Sequence, residues 1–175
     1  DLLRESFYEL KRNAAPGLDG VTWREYERKL DVRLPKLERE LHNGSYRATP
    51  AKRGYIAKED GRQRPLGIQA VEDKVVQQAC VTILNAVFEP NFSGFSYGSR
   101  PGLSPHDALD ALHEGIVRRK INWILDCDVE GFFDNLSHVR LLNFIEERVT
   151  DQRMLRLIRK WCKRARMSQK MGWVL

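Results

Sequence analysis

No apolar run in this 175-residue sequence reaches the ~18 residues that a membrane-spanning helix needs, and its start carries no signal-peptide pattern. No membrane partner is expected, and the cytoplasm is the expected compartment. Cysteine is scarce: Cys80, Cys127 and Cys162 lie far apart, form no CxxC pair and show no metal-ligand spacing. A disulfide framework is thereby excluded, and the thiols read as reduced and core-packed. His106 and His113 lack a third ligand, which argues against zinc. Internal repeats and low-complexity tracts are missing as well. The opening DLLRESFYEL starts in helical style without Met, as a piece of a longer protein would.

What the chain does have is positive charge. A net +6 and a pI near 9.4 point to a polyanionic partner, nucleic acid first. A hydrophobic content of 42% suffices for the core of one domain, or of one domain with a smaller lobe.

Leu2, Leu3, Phe7 and Leu10 recur at helical spacing and predict a first helix ending near Asn13. The cluster Ala14 to Thr22, AAPGLDGVT, predicts turns. Thr22 and Glu25 form a capping box for one helix whose Trp23, Tyr26, Leu30, Leu34, Leu37 and Leu41 share a face, closing at Asn43-Gly44. Two apolar–polar stretches around Glu59-Asp60-Gly61 predict a β-hairpin crowded with Lys52, Arg53, Lys58, Arg62 and Arg64. Such cations repel one another unless they share an anion, so the ribbon reads as a phosphate contact. A core helix over Val71 to Val87 follows, with Ile83, Leu84 and Val87 among its inward residues and Glu89-Pro90 as its stop.

The next piece, NFSGFSYGSRPG, is irregular, and its Phe92, Phe95, Tyr97 and Arg100 can stack on bases or pack on a lobe. Ser104, Pro105 and Asp107 open a helix with Ala108, Leu109, Ala111, Leu112 and Ile116 on its apolar face. Another helix runs from Ser137 to about Val149, and Thr150 is expected to cap the last one. That last helix turns Met154, Leu155, Leu157, Ile158 and Trp161 inward and Arg153, Arg156, Arg159, Lys160, Lys163, Arg164 and Arg166 outward. An unbroken cationic face of this kind favours nucleic-acid contact. The final RMSQKMGWVL is expected to begin a strand.

Between these helices lies WILDCDVEGFFDNLSH, Trp123 to His138. Ile121, Trp123, Ile124 and Leu125 predict a buried central strand that delivers Asp126 and Asp128 to its end, with Gly131 turning the chain. Buried carboxylates need a cation or hydrogen bonds, and Mg²⁺ suits hard oxygens. Asp126 and Asp134 are read as structural, Asp134 ordering the turn or capping the helix.

The stretch DVEGFFDNLSH, together with PGLDGVT, the basic hairpin and YGSRP, resembles the reverse transcriptases encoded by group II introns. Ser99 departs from that pattern, which keeps Phe there. The resemblance implies an α+β fold of fingers and partial palm, mostly helical, with a basic β-hairpin and a small, incomplete antiparallel palm sheet. It implies an N-terminal helical extension over 1–45, fingers over 46–120 and the first part of the palm over 121–175.

It also implies roles. Asp128 is the first catalytic, metal-binding carboxylate, and Val129 lends its carbonyl to the same Mg²⁺ ions of a two-metal site. Lys58 and Arg64 hold the incoming triphosphate, with backbone amides at Gly131 and Phe132 facing it, and Phe133 lies under the sugar. Arg53, Arg62, Tyr97, Arg100, Lys160, Lys163 and Arg164 are the nucleic-acid contacts. The partners implied are an RNA template, intron RNA, a DNA primer and a dNTP, and a homodimer is left open. The family's second acidic motif, an adjacent Asp pair, is not in the sequence, so this chain is not expected to polymerise alone. Two rival readings stand beside it: a maturase-like RNA-binding module without catalysis, and a defence or CRISPR-associated reverse transcriptase.

Overall fold

A computed structural model of the chain describes residues 1–57, 61 and 63–170, without the side chains of residues 64, 133, 134 and 163–170. Contacts divide it into two units, one holding Asp1–Thr82 and the chain from His138 onward, the other Ile83–Ser137.

In the first unit, α1 (Leu2–Glu9) is capped by the Asp1 carboxylate and stops before the expected Asn13. Leu10 turns extended there, its N–H closing on Phe7 O, and packs at the core's margin. The capping box forms as its residues demand. Thr22 Oγ1 accepts from Glu25 N at 3.3 Å, and Glu25 Oε2 accepts from Thr22 N at 2.8 Å. The Thr22 N–H and the Thr22 hydroxyl, both donating to Glu25 Oε2, hold the Glu25 carboxyl below its ordinary range.

The helix they start is not single. It breaks at Arg28-Lys29 into α2 (Trp23–Glu27) and α3 (Leu30–His42). Pro35, inside α3, offers no N–H to the Asp31 carbonyl one turn earlier, a local cost that packing outweighs. Both pieces feed one core, in which Phe7 stacks on Trp23 at 4.7 Å and on Tyr26 at 5.5 Å, over Leu30, Leu34 and Leu37.

The predicted hairpin is present. Strand β1 (Lys52–Ala57) pairs antiparallel with β2 (Gln63–Ile68), from Lys52 opposite Ile68 to Ala57 opposite Gln63. It leads into α4 (Val71–Phe88), whose Val71, Val75, Val76, Ala79 and Cys80 are buried. Burial pushes the Cys80 thiol up to about 11. Ile83, expected inward, is exposed, and Leu84 and Val87 are half-buried. A one-turn 3-10 helix, Glu89–Asn91, follows where Glu89-Pro90 was expected to stop α4.

The second unit has α5 (Pro105–Arg119), capped by Ser104 with Asp107 as expected, and the short α6 (Phe132–Asn135). None of its described residues is buried. The apolar stripe of α5 is open to solvent at Leu109, Leu112 and Ile116.

The central strand does not form. Residues 121–129 have no regular structure, and Trp123 and Leu125 are 92% and 87% exposed. A strand exists only through its hydrogen-bonded neighbour, and among the described residues β1 and β2 pair solely with each other. The expected palm sheet is therefore absent among the described residues, and the α+β character rests on the hairpin. Cys127 is exposed and Cys162 half-buried, so only Cys80 is a core thiol.

Two helices close the first unit, α7 (His138–Glu146) and α8 (Gln152–Lys170). The cap of α8 is Asp151, not Thr150: its Oδ1 accepts from Arg153 N at 2.7 Å and Met154 N at 3.1 Å. A carboxylate serves better than a hydroxyl at the positive end of a helix, and these bonds lower the Asp151 pKa. Of the stretch 166–175, expected to begin a strand, residues 166–170 continue α8 and the rest lies outside the described residues.

Candidate nucleic-acid and nucleotide site

The hairpin is a ribbon with two open faces. Its register puts Arg53, Tyr55 and Ala57 with Pro65 on one face, and Lys52, Gly54 and Ile56 with Leu66 on the other. Tyr55 is 55% and Ile56 53% exposed, so neither face packs on a core. The Arg53 guanidinium lies 5.9 Å from the Tyr55 ring centroid, a cation beside an exposed aromatic, which suits both phosphate and base. Lys58 and Arg62 lie outside the described residues, as does the side chain of Arg64.

Asp128 is exposed, and its Oδ1 accepts from Val129 N at 2.9 Å. Three residues on, Gly131 takes φ +59, the left-handed conformation that glycine adopts without strain, and turns the chain into α6. Its carbonyl accepts from Asn135 N at 3.0 Å and Asn135 Nδ2 at 3.1 Å. Phe132 is exposed, and the side chain of Phe133 lies outside the described residues.

Arg100 is turned inward. Its Nε and Nη2 fork onto the Glu89 carboxylate at 2.9 and 2.6 Å, and Nη1 donates to Ser96 O at 3.2 Å. The guanidinium covers Phe92 at 4.1 Å, and the side chain is 10% exposed. That clamp holds residues 89–100 as a loop and leaves the arginine no open face; Tyr97 beside it is half-buried.

The cations of α8 divide in the same way. Arg153 and Arg156 are exposed, Arg159 pairs with Glu146 of α7, and Lys160 Nζ donates to Gly44 O at 3.1 Å and Tyr46 O at 3.4 Å. The side chains of Lys163 and Arg164 lie outside the described residues.

Residues 56–173 match the family described as reverse transcriptase (RNA-dependent DNA polymerase). The chain belongs to the reverse transcriptase family. The reverse transcriptase chain is 34% identical over 151 residues to protein YkfC of Escherichia coli, covering 85% of itself and 40% of that protein. It is 36% identical over 134 residues to the group II intron-encoded protein LtrA of Lactococcus lactis, covering 76% of itself and 22% of that protein. A 91 kDa protein in the cob intron of Schizosaccharomyces pombe is 34% identical over 143 residues, 82% of this chain and 16% of that one. The chain thus spans less than half the length of these relatives.

A two-metal clamp needs several oxygen ligands around each ion. Among the described residues no group of three or more His, Cys, Asp or Glu could hold a metal. Asp128 with the Val129 carbonyl is too little, so these residues do not by themselves fit the Mg²⁺ pair.

Residues the sequence reading passed over sit at the base of the ribbon. Asp73, 1% exposed, accepts from the Tyr46 hydroxyl on Oδ1 and from Thr49 N on Oδ2 at 2.9 Å. Beside it the half-buried Glu72 accepts from the Tyr26 hydroxyl at 3.3 Å. Burial raises the pKa of both Glu72 and Tyr26. Lys74 Nζ donates to Ala15 O at 3.2 Å, and burial lowers its pKa. The signal for Asp73 was its helical position, in one stripe with Val76 and Cys80.

Proposed function

We propose that this chain supplies the fingers and the first catalytic acid of an RNA-directed DNA polymerase of group II intron type. The observation that carries the reading is the family match over residues 56–173. Within it lie strand β2 of the basic ribbon and an exposed Asp128 just ahead of the Gly131 turn. In this reading residues 1–45 are the N-terminal extension, 46–120 the fingers and 121–175 the start of the palm. Asp128 and the Val129 carbonyl contribute to Mg²⁺ binding. Lys58 and Arg64 take the triphosphate of a dNTP, Gly131 and Phe132 present amides to it, and Phe133 lies under the sugar.

The RNA template and DNA primer run along Arg53, Arg62 and the exposed cations of α8. Arg100 and Lys160 serve indirectly, as clamps that shape those surfaces. The resemblance to an intron-encoded protein and to the nuclear intron maturase 1 of Arabidopsis thaliana, 30% identical over 87 residues, supports intron RNA as the natural template.

In the full-length enzyme, Asp128→Ala abolishes primer extension while RNA binding and thermal stability stay near the parent's, because the carboxylate is exposed and holds no core contact. Primer extension surviving in Asp128→Ala removes the assignment. Intron splicing assistance surviving in the same variant shows that RNA binding is separable from catalysis.

A further inference from the structure

A two-stranded ribbon with both faces in solvent has no packing to aim it, and such a hairpin is marginal by itself. Its direction is set where its ends are anchored. Here the two ends converge on the first turn of α4. The entry, through Tyr46 and Thr49, is tied to Asp73, whose buried carboxylate accepts the Tyr46 hydroxyl and the Thr49 N–H. A carboxylate in that position costs stability unless donors surround it, and the Tyr46 hydroxyl and Thr49 N–H among its partners come from the ribbon's entrance.

The exit, Gln69-Ala70, is backed by the loop of Ala15 to Gly20. A Cβ on Gly17 would stand 2.6 Å from both N and Cα of Ala70, closer than atoms can approach, so only glycine lets the loop seat there. Lys74 fastens the same loop through Ala15 O at 3.2 Å, and Gln77 Nε2 bonds Gln69 Oε1 at 3.1 Å. Buried Ala51 and Ala70 mark the two points where the ribbon leaves the core.

We propose that Asp73 is a positioning residue for nucleotide binding: with Gly17 it clamps both ends of the ribbon, so that the ribbon meets the incoming triphosphate at a set angle. This rests on the reading that the ribbon binds the nucleotide. The N-terminal extension thereby acts on nucleotide affinity without touching the nucleotide.

The test is steady-state primer extension by the full-length enzyme, comparing Asp73→Asn, Tyr46→Phe and Gly17→Ala with Lys58→Ala and Arg64→Ala. The two cation variants examine the nucleotide reading itself and must raise the KM for dNTP. The clamp variants are then expected to raise that KM about tenfold, with little change in kcat. Combining Asp73→Asn with Gly17→Ala is expected to be less than additive, since each releases the same ribbon.

If Lys58→Ala and Arg64→Ala leave KM unchanged, the nucleotide reading falls and the clamp's role falls with it. If they raise KM while Tyr46→Phe and Gly17→Ala do not, the ribbon binds nucleotide but the clamp is only structural, and the proposal is overturned. A fall in kcat with the KM for dNTP unchanged overturns it too. Should Asp73→Asn fail to fold, Tyr46→Phe decides alone, since it removes one hydroxyl and leaves the Thr49 bond in place.

Discussion

Lys160 offers the sharpest separation of a structural cation from a nucleic-acid contact. Helix α3 ends at His42, and the chain beyond it turns back so that Tyr46 N bonds Glu40 O at 3.1 Å. The carbonyls of Gly44 and Tyr46 are then satisfied by the Lys160 ammonium, reaching from α8. A cation there also meets the negative end of α3. Lys160→Met keeps the apolar stem and removes the charge.

Charge-assisted bonds contribute roughly 1.5–3 kcal/mol when well shielded. Lys160 is exposed, so solvent screening brings the combined loss to about 1 kcal/mol. For a chain of this size that lowers Tm by about 2–4 °C. RNA binding, measured against salt, should keep its slope in Lys160→Met, because no phosphate contact is lost. Arg156→Gln should do the reverse: among the described residues the exposed guanidinium uses only Nε, on Gln152 O at 3.1 Å. Its removal should leave Tm unchanged and reduce the salt slope by about one. The reasoning is refuted if Lys160→Met melts like the parent yet loses a unit of salt slope.

Phe7→Ala should destabilise the first unit by about 3–5 kcal/mol in denaturant titration, because a fully buried ring stacked on Trp23 and Tyr26 is lost. A loss below about 1 kcal/mol would mean that α1 does not belong to this core. Glu72→Gln tests the buried acid. Its raised pKa means that the folded chain holds the proton to higher pH than the unfolded one, so stability falls as pH climbs from the ordinary 4.5 through the raised value. Glutamine keeps an acceptor for Tyr26 and removes that fall. The variant's Tm should therefore gain on the parent's as pH rises from acid to neutral, and an equal difference at both ends would count against burial as the cause.

Reading from local chemistry succeeded where a few neighbouring residues decide the outcome. The Thr22–Glu25 and Ser104–Asp107 boxes, the hairpin around Gly61 and the inward face of α8 all appear where their residues point. It fell short at one local choice and where a distant partner decides. Thr150 and Asp151 are both capable caps, and the choice rests on which side chain reaches the first amides. Arg100, open in the sequence to base contact or to packing, is held by Glu89, which lies in another element.

The resemblance of its motifs pointed to the family, while composition and spacing alone determined the basic character and the order of helices and hairpin, since those depend on propensity and capping. Tertiary structure decided the rest. Residues 121–129 are apolar enough for a strand but meet no edge to pair with among the described residues. Lys160 and Asp73 became fasteners instead of surface charges because folding brought Gly44, Tyr46 and Thr49 within hydrogen-bond reach, a proximity that no stretch of adjacent residues encodes.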